Sequence, residues 1–292
     1  MTALKFKGVG ASNHAVDRAN HATIAVWGSA GSGKTLLAIN LSFEIARLGK
    51  RVLLIDADLR RPSVASWLGL VNAGPGLTAA VRLAKLDRLD IDELVRLSAE
   101  LKFENCKLDV LTGLPHPKRW SEATPASATR VLGVASEHYE FVVLDVSSDL
   151  ESDLDLNSSG ISRESLTSTI VSRANLVLAT FTADPIGVNR LLFDLQNLHR
   201  DYWLIANRTG SRHLGKPGLK ELHETLAQFT ASPLRASLPT DFASCDSSIA
   251  NARPLLLEYP NAKLTLAVRE LAMQIVDECS AGIDSEGGQT GL

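Results

Sequence analysis

Cysteine is scarce. The three that occur, Cys106, Cys245 and Cys279, are odd in number and far apart. No C-x-x-C pair is present, so the sequence gives no sign of a zinc site or a disulfide framework, and a reducing compartment is expected. A dominant charge is also missing. Thirty Lys and Arg stand against 33 Asp and Glu, for a net charge of −3 and a pI near 6.2. A chain whose main partner is nucleic acid or an anionic membrane carries a strongly basic balance; here there is no strong nucleic-acid signal beyond what a local patch would supply. No apolar run approaches the roughly 20 residues that span a bilayer. The opening MTALKFKGVGASNHAVDRANH has no apolar stretch of the signal-peptide kind. These absences predict a cytoplasmic protein.

What is present is ordinary for a globular protein with a sizeable core: 292 residues, 45% hydrophobic and 22% charged. Short runs rich in Val, Ile and Leu alternate with helical spacing. ATIAVW (22–27), RVLLID (51–56), KLDVLT (107–112), FVVLDV (141–146), NLVLATF (175–181) and YWLIAN (202–207) lack polar alternation, as strands covered on both faces do. After the first strand, Leu37, Leu41, Ile45 and Leu48 form an apolar helical stripe ended by Gly49. A last helix is expected over 262–279, with Leu264, Val268, Leu271 and Ile275 on one face. This alternation predicts an α/β fold, a doubly wound and mainly parallel sheet with helices on both faces. One domain is expected over residues 21–279. A flexible tail would precede it at 1–20, and a disordered acidic, Gly-rich tail would follow at 280–292. DVSSDLESDLDLNSSG (145–160) is expected to be an exposed loop.

Residues 28–35 read GSAGSGKT, a match to G-x-x-x-x-G-K-[ST] set between a strand and a helix. The backbone of Gly28, Ser29, Ala30, Gly31, Ser32 and Gly33 would turn N–H groups toward phosphates at a helix N-terminus. Lys34 would neutralise β/γ-phosphate charge, and the Thr35 hydroxyl would ligate Mg²⁺. The next strand ends in Asp56 and Asp58, within DADLRRP. At a strand end both carboxylates can reach the crevice where α/β sheets bind ligands. Asp56 is assigned as a water-mediated Mg²⁺ ligand and Asp58 as the group that orients the attacking water. Arg60 and Arg61 either stabilise phosphate charge or form a solvated corner. Asp145 ends an apolar strand in the manner of a Walker B carboxylate that holds Mg²⁺ through water.

The order of P-loop, helix, VLLIDAD and a later apolar strand ending in Asp resembles the MinD/ParA group of P-loop ATPases. IANR (205–208) resembles that group's Asn-Arg motif, and LPTDF (238–242) with NARPLL (251–256) its P-x-D and G-x-P segment. The resemblance implies ATP and Mg²⁺ as ligands and an ATP-dependent homodimer. It also implies that Asn207 reads adenine, with Arg208, Pro239 and Asp241 beside the base. Within the group, PGLTAAVRLA (75–84), TGLPHPKRW (112–120) and ADPIGVNRLL (183–192) are similar to the CpaE/TadZ-like ATPases of pilus assembly. That likeness implies protein partners in a pilus or secretion machine.

Three departures accompany the resemblance. The group's signature lysine falls on Ser29. The chain ends acidic and Gly-rich rather than in a basic amphipathic helix, so no direct membrane anchor of that kind is expected. Only a short tail stands where many CpaE-like proteins carry a receiver-like domain. DADLRRP also resembles the second acidic motif of bacterial tyrosine kinases. Those carry a tyrosine cluster in the tail, whereas Tyr139, Tyr202 and Tyr259 all lie before it.

Overall fold

Strands buried on both faces need helices above and below, and the chain supplies them. The computed structural model describes residues 21–70, 72–74, 76–150, 162–210 and 218–284, with side chains as far as 279. The expected tail at 1–20, residues 285–292 of the tail expected at 280–292, and most of the acidic loop lie outside the described residues; 280–284 are helical rather than tail. One sheet has the order β3-β4-β2-β5-β1-β6-β7-β8. Its strands are β1 (Ala22–Trp27), β2 (Val52–Ala57), β3 (Ala99–Phe103), β4 (Cys106–Leu111), β5 (Phe141–Val146), β6 (Leu176–Thr182), β7 (Trp203–Thr209) and β8 (Leu234–Pro239). All pairings are parallel except β3 with β4.

Alternate residues of the central strands feed two separate cores. Ala25 and Trp27 of β1 join Val142, Leu144 and Val146 of β5 on one side. Ile24 and Val26 join Phe141 and Val143 on the other, with α1 (Lys34–Arg47) and the Lys263–Asp284 helix. The period of two is therefore real but invisible in the sequence, because both faces are apolar. Leu37, Leu41 and Ile45 are fully buried. Gly49, one residue past the C-cap Leu48, has φ 82° and ends the helix in a left-handed turn.

Two strands were not expected from the sequence. AELKF of β3 and LRASLP of β8 form the sheet edges. An edge strand half-open to water carries Glu, Lys and Arg on its free side, which removes the apolar run that marks the interior strands. The last helix runs five residues past the expected end, to Asp284. No helix among the described residues is long and apolar enough to cross a membrane.

Candidate functional site

β1 ends between β5 and β6 at the middle of the sheet, and the GSAGSGKT loop leaves from its carboxyl end. Glycine is required at two points of that loop. Gly28 has φ 147°, and a Cβ there would lie 1.9 Å from the Thr180 carbonyl oxygen. Gly33, the N-cap of α1, has φ 95°, and a Cβ would lie 2.1 Å from Asn207 Nδ2. No side chain caps α1, so the positive end of the helix is left to an anion.

The cationic and hydroxyl groups of the loop meet the end of β5. Thr35 Oγ1 donates to Asp145 Oδ2 at 2.6 Å, and Lys34 Nζ donates to Ser148 Oγ at 3.0 Å. Asp56 and Asp145 are direct neighbours on paired parallel strands, and both are almost wholly buried. Burial pushes the Asp145 carboxyl up to about 7, with Asp58 adding to the shift and Thr35 and Lys34 opposing it. Asp56 is also raised well above the usual range, chiefly by burial and then by the charge of Asp145. Asp56 Oδ2 nevertheless accepts from the Ser63 and Val64 amides at 2.9 and 3.0 Å.

These features fit Mg²⁺ with a nucleotide polyphosphate. Asp145 Oδ1 and Ser32 Oγ are buried without a hydrogen-bond partner. Two crowded carboxylates beside a threonine hydroxyl form a donor set that a hard cation would relieve. No cluster of three or more His, Cys, Asp or Glu among the described residues forms an all-protein metal cage. A cation here would take its remaining oxygens from phosphate and water.

Asp58 is joined to that pair through its amide, which donates to Asp56 Oδ1 at 3.3 Å. Its Oδ1 accepts from the Arg60 and Arg61 amides, both at 2.9 Å, and from Ser147 Oγ at 2.9 Å. The Arg60 side chain is ion-paired with Asp149 at 3.0 Å and with the buried Glu164. Arg61 is exposed. Arg119, in the TGLPHPKRW segment, is paired with Glu122 at 2.6 Å.

The residues that the resemblance assigns to the base converge on the other flank. Asn207 Nδ2 donates to the Ser32 carbonyl at 2.8 Å and so braces the P-loop from below. Arg208, with φ 56°, lays its guanidinium 5.5 Å from the centre of the Phe242 ring. Thr209 and Pro239 are paired across β7 and β8, and Asp241 caps the Phe242–Ala250 helix through the Ser244 amide. Ser29, at the signature-lysine position, donates to Asp194 Oδ2 at 2.6 Å.

Four contributors were missed by sequence reasoning: Ser147, Ser148, Asp194 and Gly113. A Cβ on Gly113 would come within 2.8 Å of Asp56 Cγ, so the Thr112–Leu114 segment closes over the Asp56 carboxyl. Ser147 and Ser148 lie in a polar loop where nothing but position after Asp145 distinguishes them.

The comparisons agree with this fold. The family model for the CobQ/CobB/MinD/ParA nucleotide binding domain matches residues 24–252. The chain is 26% identical over 259 residues to the antiactivator FleN of Pseudomonas aeruginosa, covering 85% of this chain and 83% of that protein. It is 34% identical over 131 residues to the tyrosine-protein kinase YwqD of Bacillus subtilis, covering 44% of this chain and about half (51%) of the kinase. The fold superposes on MinD of Pyrococcus horikoshii, solved with Mg-ADP, with a TM-score of 0.67 at 20% identity, over 87% of this chain and 96% of that one. The chain belongs to the CobQ/CobB/MinD/ParA nucleotide-binding domain family.

Proposed function

We propose that the protein is a Mg-ATP-dependent switch: it binds ATP at the GSAGSGKT loop, hydrolyses it, and changes its association with itself and with protein partners accordingly. The observation that supports this most directly is the junction of three motifs at one point. Thr35 meets Asp145, Asp56 stands beside Asp145, and Asp58 is fixed by three donors next to them.

Each side chain then has a task. The loop amides and Lys34 would hold the β- and γ-phosphates, and Lys34 would exchange Ser148 for a phosphate oxygen. Thr35, Asp145 and Asp56 would hold Mg²⁺, the last two through water. When bound, Mg²⁺ supplies charge neutralisation across the transferred phosphoryl group. Asp58 has Oδ1 fully engaged, which leaves Oδ2 to orient a water molecule toward the γ-phosphate. Asn207, Arg208, Pro239 and Asp241 would enclose the adenine.

Self-association is supported by the helix that begins at Pro185. Ile186 and Phe193 are 65% and 66% exposed, and the same helix ends at Asp194, which is bonded to Ser29 in the P-loop. A γ-phosphate that displaces this bond would be felt along a helix that exposes Ile186 and Phe193 on either side of Asn189 and Arg190. The similarity to FleN over most of both chains favours a regulatory output. The CpaE-like segments favour a pilus or secretion machine as the target. A second reading, autophosphorylation on tyrosine, is favoured by the YwqD match together with DADLRRP.

The two readings separate in one assay. Purified protein is incubated with γ-labelled ATP and Mg²⁺, and label is followed in free phosphate and on protein, with Lys34→Ala as control. Free phosphate without protein label is the expected result. Label retained on tyrosine would put the kinase reading first. Neither free phosphate nor protein label above that of Lys34→Ala would contradict both.

A further inference from the structure

We infer that Ser147 is a positioning residue for Asp58, locking the carboxylate that orients the attacking water to the strand that carries Asp145. The inference rests on the hydrolase reading above. β2 and β5 run in parallel register through Asp56 with Asp145 and Ala57 with Val146. The next residues along the two chains are Asp58 and Ser147. There the backbones part, and a side-chain bond continues the ladder: Ser147 Oγ donates to Asp58 Oδ1 at 2.9 Å and accepts from the Leu59 amide at 3.1 Å.

Ser147 is 3% exposed. Its single hydroxyl hydrogen is spent on Asp58 and a lone pair on Leu59, so its rotamer is fixed from both sides. A carboxylate is otherwise a loose rotor about its last torsion. With the Arg60 and Arg61 amides also on Oδ1, turning the group would break three hydrogen bonds together. Oδ2 is thereby held in one place, which is what orienting a water requires, since small displacements of a catalytic group cost large factors in rate. The link also ties Asp58 to Asp145 through two residues of β5 and the turn after it. Nothing in the composition of the serine-rich loop distinguishes this serine from its neighbours.

The test compares wild type with Ser147→Ala, Ser147→Thr, Asp58→Ala and the Ser147→Ala/Asp58→Ala double variant. Single-turnover phosphate release at saturating Mg-ATP is measured beside the affinity for a fluorescent ATP analogue. Amide exchange at Leu59, Arg60 and Arg61 is followed in nucleotide-free protein. Losing one hydrogen bond to a charged group predicts that Ser147→Ala slows turnover about tenfold or more, with analogue affinity changed by less than about twofold. Ser147→Thr, which keeps the hydroxyl, is expected to restore most of the rate. In the double variant Ser147→Ala adds nothing to Asp58→Ala, and exchange at the three amides is faster in the Ser147→Ala single variant than in wild type. Wild-type turnover in Ser147→Ala, or effects that multiply in the double variant, would overturn the inference while leaving the hydrolase reading intact. Wild-type release no faster than that of Lys34→Ala would remove the hydrolase reading, and this inference with it.

Discussion

Thr35 and Asp145 are joined by a 2.6 Å hydrogen bond from hydroxyl to carboxylate, and this bond connects the start of α1 to the end of β5. The hydroxyl opposes the rise in the Asp145 pKa that burial causes. Thr35→Val is nearly isosteric but cannot donate. It is expected to weaken Mg-dependent nucleotide binding by about ten- to a hundredfold, the value of a hydrogen bond to a charged group. Thr35→Ser should stay near wild type. Titration of a fluorescent nucleotide with and without Mg²⁺ checks this; equal loss in both conditions would contradict it.

The acidic pair makes stability depend on pH in an unusual direction. Asp145 is raised from 3.8 to about 7 in the folded protein, and Asp56 is raised too. Between these values the folded state holds protons that the unfolded state releases. The stabilisation is therefore complete below about pH 4 and is lost as the pH rises through 7. Other groups superimpose their own dependence, so the comparison is with Asp145→Asn. That variant is expected to raise the Tm of nucleotide-free protein more at pH 8 than at pH 5. A gain that does not grow with pH would contradict it.

Gly113 covers the carboxyl of Asp56. An alanine Cβ would stand 2.8 Å from both Asp56 Cγ and Pro62 Cβ. Asp56 is pinned by three amides, those of Asp58, Ser63 and Val64, so it cannot retreat freely. Gly113→Ala is expected to cost about 1–3 kcal/mol, the usual range for overpacking, and to lower Mg-nucleotide affinity. Urea unfolding with nucleotide titration measures both.

Arg60 neutralises Glu164, whose side chain is 2% exposed while that of Arg60 is 37% exposed. Removing the arginine leaves a buried carboxylate without its cation. Breaking a fully buried pair costs about 3–5 kcal/mol; with Arg60 partly solvated, about 2 kcal/mol is expected for Arg60→Ala. Arg60→Ala made in a Glu164→Gln background should cost less than in wild type. A double-mutant cycle by urea unfolding reads the difference, and additive effects would contradict the pairing.

How much of this was legible depended on burial. Six interior strands could be read because two-sided burial leaves an unbroken run of Val, Ile and Leu, as in VLLID and FVVLD. β3 and β8 could not, since water on one side replaces that run with charge. GSAGSGKT was legible because phosphate binding restricts residue type at several adjacent positions. Ser147, Ser148 and Asp194 were not. A hydroxyl or carboxylate that acts through a partner distant in the chain has no local signature, and Ser29 to Asp194 spans 165 residues. Arg60 was visible but ambiguous, because its partners Asp149 and Glu164 lie beyond any local pattern.

The central claim is that the P-loop and the acidic motifs form one hydrolytic site. It is tested most directly by steady-state phosphate release from Mg-ATP, set beside nucleotide affinity, for wild type, Lys34→Ala and Asp58→Ala. The account predicts turnover in wild type, loss of both binding and turnover in Lys34→Ala, and loss of turnover with binding retained in Asp58→Ala. Equal phosphate release by wild type and Asp58→Ala would contradict it.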